Sequence, residues 1–484
     1  MSKFNFDIIV IGAGPAGMAV SIMASEMGLN VCVIEKNKLG GECMNVGCIP
    51  SKALLRMGKV RNTFNKLDKY EMEGKSLPRV KNIFTKIQKD LEYISKAKTV
   101  SLFSKATVKM GKSARFVGSN VIEVGEEKIS AKRFFICTGT TPAIPPIPGL
   151  RETDIMTNEN MFDQDEIPAT LAIIGGGAIG TEMAQAFSRL GSKVSIVHMD
   201  EHLIPAGDKQ AGDLLFSVFE SEGITVFNKT GIEKVETIDG KKIVHLANGE
   251  KIIADKLLVA AGRSQNFDNL GLEAVKVKTS KKGIIVNEQL QTNRKHIYAV
   301  GDCNGNFLLS HAAMHQGMCA LMNVFLPWPI KRSFRNYVVP WTVFTEPQVS
   351  FVGKTELQLK KERVNYKAIQ VNYEDYGAAI AEGVDIGYVK ALVGPWGKIF
   401  GVSIVGEGSG EMINEWALAI QKNIRLTDIM FLQHSFPSMS FLNKRISEVW
   451  MMEKLKGHRI KSMIKAFFNF KTFFSIVLIS LFIV

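Results

Sequence analysis

The sequence predicts an α/β protein with two Rossmann-like nucleotide-binding domains and a C-terminal α+β domain. Three observations carry that prediction. A strand, glycine loop, helix and strand open the chain. A second such unit starts about 160 residues later. From about Tyr337 the pattern changes to strands and two helices. The length of 484 residues suits about three domains, and 22% charged with 46% hydrophobic residues is ordinary globular composition.

In the first unit the apolar strand Phe6 to Ile11 runs into Gly12-Ala13-Gly14-Pro15-Ala16-Gly17, then a helix over 18–27 and a strand ending at Glu35. Gly12, Gly14 and Gly17 permit a tight turn, close approach of a pyrophosphate and helix–strand packing. A terminal acid such as Glu35 accepts from ribose hydroxyls. Strand, helix and acid together make the motif specific.

The second unit has the strand Thr170 to Ile174, then Gly175-Gly176-Gly177-Ala178-Ile179-Gly180, a helix to Leu190 and the strand Val194 to Val197. His198 stands where the ribose acid is expected. A neutral imidazole still hydrogen-bonds ribose and a protonated one tolerates a 2′-phosphate, so NADH and NADPH are both open. Two fingerprints argue for two dinucleotides rather than one live and one dead site. Short strand-turn segments around Gly139, Gly262 and Asp302 complete these domains, and the proline-rich run 141–149 marks the entry to the second.

Between the units lies Gly40-Gly41-Glu42-Cys43-Met44-Asn45-Val46-Gly47-Cys48-Ile49-Pro50-Ser51-Lys52. Pro50 suits a first helical turn, which places the cysteines at a helix N-terminus where thiolate is favoured. A structural disulfide and half a zinc site are the competing readings; no further ligands stand nearby at metal spacing, so no metal site is assigned. The other cysteines, Cys32, Cys137, Cys303 and Cys319, are scattered, which excludes a secreted disulfide framework. No signal peptide is expected, and a reducing cytoplasm is the expected compartment.

The net charge of +13 is uneven. From Arg56 to Lys112 there are fifteen Lys/Arg against five Asp/Glu, read as the solvated faces of two helices. Aromatic and basic residues do not interleave as nucleic-acid binding requires. From Lys454 to Lys471 there are six basic residues and no acid, with Ile460, Met463, Ile464, Phe467 and Phe468 on one helical face. Thirteen uncharged residues follow, Thr472 to Val484, short of the roughly 20 needed to span a bilayer. A basic amphipathic tail of this kind is expected to attach residues 460–484 to the inner face of a membrane; packing on a partner subunit is the alternative.

Gly40 to Lys52 with both nucleotide units resembles the flavoprotein disulfide reductases, the class I pyridine nucleotide-disulfide oxidoreductases that include dihydrolipoamide dehydrogenase, glutathione reductase and mercuric reductase. The resemblance runs from Phe6 to about Arg445 and takes in Ala299-Val300-Gly301-Asp302, Phe344-Thr345-Glu346-Pro347 and Gly410-Glu411-Met412-Ile413. It implies an FAD domain over 1–149 and 264–336, an NAD(P) domain over 150–263 and a homodimerisation domain over 337–452; the basic amphipathic and apolar tail over 453–484 lies beyond it. FAD would meet Gly12, Gly14, Gly17, Glu35, Lys52, Gly139, Asp302 and Ala312. NAD(P)H would meet Gly175, Gly177, Gly180, His198 and Gly262. Cys48 would be the thiolate facing the flavin, Cys43 the thiol that attacks substrate, and Lys52 a cation near the flavin paired with Glu182.

One departure bears on the acceptor. Dihydrolipoamide dehydrogenase and glutathione reductase carry a C-terminal His with a Glu five residues on, which moves a proton for the attacking thiol. Here those positions are Phe436 and Phe441. His434 would point the same way in an extended segment, displaced by about 6.8 Å, and Glu448 lies too far along to assign. Mercuric reductase also lacks that His, but its C-terminal vicinal cysteines have no counterpart, since no cysteine follows Cys319. The leading expectation is an FAD enzyme passing electrons from NAD(P)H through Cys43 and Cys48 to an acceptor. The alternatives are a metal-ion reductase, a membrane-associated quinone reductase and a non-catalytic redox sensor.

Overall fold

A computed structural model describes residues 4–74, 76–458 and 460–470. The chain divides into two compact units. The first holds the residues up to Tyr337 with Val343–Thr345; the second holds Val338–Thr342 and the residues from Glu346.

The first unit opens with β1 (Phe6–Ile11), α1 (Pro15–Glu26) and β2 (Val31–Glu35). Both strands are near-continuous apolar runs, as parallel strands covered on two faces must be, and Ile9, Val10, Cys32 and Val33 are fully buried. Next come α2 (Gly41–Asn45), α3 (Cys48–Phe64) and α4 (Ile83–Ile94), then β3 (Thr107–Met110), β4 (Ala114–Gly118), β5 (Val121–Val124) and β6 (Glu127–Ile136). The sheet order is β3-β2-β1-β6-β5-β4, with the strand Ile297–Ala299 also paired to β6. The C-terminal half of β6 runs parallel to β1, while its first residues pair antiparallel with β5. α4 shows how the basic stretch is used: Phe84, Ile87 and Leu91 face inward, and Lys86 lies outside with Asp90.

After the short β7 (Thr140–Pro142) come β8 (Thr170–Ile174), α5 (Ala178–Leu190), β9 (Lys193–Val197), α6 (Lys209–Ser221) and β10 (Thr225–Phe227). The three-stranded antiparallel sheet β11 (Ile232–Ile238), β12 (Lys241–Leu246) and β13 (Lys251–Ala254) follows, and then β14 (Lys256–Val259). The second parallel sheet is ordered β10-β9-β8-β14. α7 (Ser310–Phe325) returns against α1, where a Cβ on Gly317 would sit 2.7 Å from the Ala16 carbonyl oxygen. α3 packs on α5 at Gly58, whose Cβ would meet the Ala186 carbonyl oxygen at 3.3 Å. That close approach sets the α3 side chains against α5.

The second unit is α+β, with more helices than the two expected. Strands Val349–Gly353, Lys367–Asn372, Tyr388–Val393 and Ile399–Val405 form an antiparallel sheet that also includes Trp341–Val343. α8 (Glu356–Lys361), α9 (Gly377–Ala381), α10 (Ser409–Gln421), α11 (Leu426–Phe431) and α12 (Phe441–Leu455) accompany it around a core centred on Trp416, Tyr373 and Ile446. Residues 460–470 are helical and expose Met463, Phe467 and Phe468. The apolar run expected at Thr472 to Val484 lies outside the described residues. Among those described, no helix is long and apolar enough to cross a membrane.

Candidate active site

The two glycine loops show what each glycine does. Gly12 has φ of +100°, and a Cβ there would lie 2.4 Å from the Cys137 carbonyl oxygen; on Gly17 it would lie 1.9 Å from the Gly12 carbonyl oxygen. Gly175 (φ +116°) and Gly180 repeat this, 2.3 Å from the Ala260 oxygen and 1.9 Å from the Gly175 oxygen. These four are fixed by the protein's own backbone. The middle glycines are not: nothing lies within 4 Å of a Cβ on Gly177, and on Gly14 the nearest atom is the Gly41 Cα at 3.9 Å. Bare backbone facing open space at the start of a helix is what a pyrophosphate needs. Gly139 (φ +64°) and Gly262 (φ +119°) likewise have nothing within 4 Å.

Glu35, at the end of β2, is buried; its Oε2 accepts from the Ala13 amide at 2.7 Å and its Oε1 from the Asn37 amide at 2.8 Å. Asp302 follows the strand Ile297–Ala299, and burial pushes its carboxyl up to about 6. Ala312 is buried on α7. In the second loop the buried His198 ring lies over Gly176, where a Cβ would come within 2.8 Å of it. His198 Nε2 bonds Asn228 Oδ1 at 2.5 Å, and Nδ1 is buried without a hydrogen-bond partner, 3.9 Å from Asp200 Oδ2.

The cysteine segment is tied to the first glycine loop. The Gly40 amide donates to the Ala13 carbonyl at 2.9 Å, and Gly41 (φ +59°) leaves no room for a Cβ, which would fall 2.7 Å from Gly14 Cα. Cys43 sits in the separate short helix α2, and Cys48 is the first residue of α3, two positions before Pro50. Only Cys48 therefore occupies the N-terminus of α3. Both are free thiols, half-buried, whereas Cys32, Cys137, Cys303 and Cys319 are buried. A hydrogen bond from Cys43, one from Ser310 and the charge of Lys52 bring Cys48 down to about 6 against burial. The same bond to Cys48, with burial, drives the Cys43 thiol far up. Of the two thiols, Cys48 is the one whose surroundings favour the thiolate.

Lys52, one turn further along α3, places Nζ 2.8 Å from Glu182 Oε2 on α5 and 4.7 Å from the centre of the Phe344 ring. Glu182 Oε1 accepts from the Phe344 amide at 2.9 Å, which fixes the carboxylate from both sides. Around Cys43, Cys48 and Lys52 stand residues to which sequence reasoning gave no role. Arg263 reaches Glu42, Thr140 Oγ1 (2.9 Å) and Asn158 Oδ1 (3.1 Å), bracing the residue beside Cys43. Burial raises the Glu42 carboxyl, opposed by Arg263. Ser310 Oγ lies 3.4 Å from Cys48 Sγ. Arg263 follows Gly262 and Glu42 precedes Cys43, which are the only sequence signals; nothing marks Ser310.

In the second unit His434 and Phe436 do not point the same way, contrary to the extended-segment expectation. The peptide between Phe436 and Pro437 is cis; His434 turns inward and bonds Glu415 Oε1 at 2.9 Å, while Phe436 is 72% exposed. Glu415 also accepts from Asn443 at 2.7 Å, and Asn443 accepts from Trp416 Nε1 at 2.7 Å. Phe436 and Phe441 meet edge to face, 5.4 Å between centroids. Among the described residues no group of three or more His, Cys, Asp or Glu is placed to hold a metal ion.

Two glycine loops on parallel sheets, with a cysteine pair bound to the first, define a flavin- and nicotinamide-dependent dithiol oxidoreductase. Residues 6–317 match the family model for pyridine nucleotide-disulphide oxidoreductases and residues 339–445 match that family's dimerisation domain. Among curated proteins, the chain is 34% identical to dihydrolipoyl dehydrogenase of Buchnera aphidicola, covering 90% of this chain and 94% of that protein. It is 31% identical to mercuric reductase of Staphylococcus aureus, covering 88% and 79%. In fold it is similar to the HOCl-induced flavoprotein disulfide reductase RclA of Escherichia coli, with a TM-score of 0.82 at 23% identity over 92% of this chain and 99% of that one. The chain belongs to the pyridine nucleotide-disulphide oxidoreductase family. The family is FAD-dependent and uses NAD(P)H, and the open middle glycines with backbone-locked flanking ones fit two dinucleotides.

Proposed function

We propose that this protein is an NADH-dependent disulfide reductase acting through Cys43 and Cys48, on an acceptor that needs no imidazole–carboxylate dyad. The observation that carries the reading is the placement of the pair: Cys43 in α2 and Cys48 at the start of α3, in a segment tied to the first glycine loop through the Gly40 amide, with Lys52 held by Glu182 one turn further on. The chemistry FAD supplies when bound is to accept hydride from NADH and deliver the electron pair to the Cys43–Cys48 disulfide. Gly12, Gly14, Gly17, Glu35, Gly139, Asp302 and Ala312 would hold it, with Lys52 as the nearby cation. Gly175, Gly177, Gly180, His198 and Gly262 would hold NADH.

Cys43, once deprotonated, attacks one sulfur of the acceptor disulfide and releases the other as a thiolate, which takes up a proton. Cys48 then attacks Cys43 Sγ, re-forming the protein disulfide and releasing the second thiol. The stoichiometry is NADH, a proton and one disulfide giving NAD⁺ and two thiols. A second reading, reduction of a soft metal ion, is favoured by Phe436 and Phe441, since a thiolate-bound ion needs no proton carrier. The matched dimerisation domain supports a homodimer, and the exposed apolar side chains of residues 460–470 favour attachment to a membrane surface.

The test is an anaerobic NADH titration followed by acceptor assays on wild type and Cys43→Ser. NADH is expected to reduce the flavin in both, with turnover of low-molecular-weight disulfides lost at least 100-fold in the variant. A Cys43→Ser protein that still reduces its acceptor would overturn the reading and favour a quinone. Wild type that oxidises NADH only when Cu²⁺ or Hg²⁺ is supplied would install the metal reading.

A further inference from the structure

Where α7 ends, the chain turns large apolar side chains outward: Phe325 is 48% exposed, Trp328 83% and Ile330 60%. The loop that carries them is pinned at its neck. Buried Asn323 donates through Nδ2 to the Arg332 carbonyl at 2.8 Å, and its Oδ1 accepts from the Arg332 amide at 2.8 Å. The Ile330 amide closes a turn on the Pro327 carbonyl at 3.1 Å, and buried Phe334 anchors the far side, its amide donating to the Glu288 carbonyl at 3.1 Å. A loop fixed this way holds a tryptophan in water and forgoes the gain from burying it, which marks a surface that something covers.

The charge beside it has one sign. No acid occurs from Cys303 to Tyr337, while Lys331, Arg332 and Arg335 follow directly on the apolar residues. Arg332 and Arg335 are held by aromatic neighbours rather than carboxylates: Arg332 Nη1 donates to the Tyr337 hydroxyl at 2.9 Å, and Arg335 lies 5.8 Å from the centre of the Phe334 ring. We propose that residues 325–335 dock on an anionic lipid surface, with Trp328 and Ile330 in the headgroup layer and the three cations against lipid phosphates. Tryptophan favours that boundary, and basic residues next to it meet an anionic leaflet. Pro327 and Pro329 have no amide N–H to leave unpaired there, and that of Ile330 is already bonded. The tip from Leu326 to Ile330 offers no polar side-chain group but the indole N–H, too little to specify a protein partner by hydrogen bonds. A lipid boundary asks for none. The loop lies between the stretches 6–317 and 339–445 that the family models match, so the family's shared chemistry does not account for it. The proposal goes beyond the attachment proposed for residues 460–470 and does not depend on it.

The experiment is co-sedimentation of the full-length holoenzyme with vesicles of mixed phosphatidylcholine and phosphatidylglycerol, and with phosphatidylcholine alone. Wild type is compared with Trp328→Ser, with the double variant Lys331→Gln/Arg335→Gln, and with Met463→Ser/Ile464→Ser in the tail. Each loop variant is expected to lower partitioning onto the anionic vesicles about tenfold, with flavin content and NADH oxidation unchanged. Tryptophan emission should shift to the blue when wild type meets those vesicles, and Trp328→Phe should lose the shift. Should Trp328→Ser lose its flavin, Ile330→Ser is read in its place with the same expectation. Binding lost in the loop variants and kept in the tail variant would support the proposal and remove the tail as the attachment. Binding kept in both loop variants and lost in the tail variant would overturn the proposal and leave the tail in place. Wild type that partitions no better onto the anionic vesicles than onto phosphatidylcholine alone would also overturn it.

Discussion

The two glycine loops are built alike and finished differently. In each, the first glycine takes a positive φ under a neighbouring carbonyl, and the last lets its helix cross 1.9 Å from where a Cβ would be. At the end of the second strand they part. Glu35 spends both carboxylate oxygens on backbone amides, Ala13 and Asn37, and so stiffens its own loop. His198 instead stacks on Gly176, ties one nitrogen to Asn228 and keeps the other unbonded. The first loop is closed by its acid and joined to the cysteine segment through Gly40 and Gly41. The second keeps a polar atom in reserve. Under the proposed function, a tightly held flavin at the first loop and a nucleotide that comes and goes at the second make those two demands.

The largest expected effect should be the same in both loops. Gly17→Ala and Gly180→Ala each drive a methyl into a backbone oxygen that has no rotamer by which to yield, so each should lose about 3 kcal/mol or more of stability. Thermal melting of the two variants side by side measures it; a loop that accepted alanine without loss would break the parallel. Gly177→Ala should separate the roles. With nothing near its Cβ, stability should hold within about 0.5 kcal/mol, whereas the KM for NADH should rise tenfold or more. Flavin content should not change, because the other loop is untouched.

These motifs were legible because their physics is local. A β-strand running into a glycine loop and helix is written in consecutive residues, and so is the Cys43 to Cys48 spacing. The partners of those residues were not legible. Arg263 reaches Glu42 across 221 positions and Ser310 reaches Cys48 across 262, joined only by the folding of separate βαβ segments. The error over His434 has a different source. An even spacing of two residues predicts a shared face only in a regular strand, and the segment Gln433–Ser440 is not one. The Lys52–Glu182 contact came from the family resemblance, since nothing in either helix alone pairs them.

The smallest effect tests what the difference between the loops is for. His198 Nε2 bonds Asn228 Oδ1, and Nδ1 is left without a hydrogen-bond partner. An unbonded ring nitrogen at a strand end suits the ribose hydroxyls of NADH, which both donate and accept. The charges around it oppose a 2′-phosphate: Asp200 lies 3.9 Å from Nδ1, and Glu201 stands next to it, answered by Lys229 at 3.3 Å. We expect kcat/KM for NADH to exceed that for NADPH at least tenfold. His198→Ala should cost about fivefold with NADH, the worth of one ordinary hydrogen bond, and His198→Glu should restore it. Asp200→Lys should narrow the NADH to NADPH ratio by about five- to tenfold by trading repulsion for attraction at a partly exposed site. Steady-state kinetics with both nucleotides on the four proteins are sufficient. If His198→Ala changed neither nucleotide, the unbonded nitrogen would have no part in binding, and the second loop would differ from the first in residue type alone.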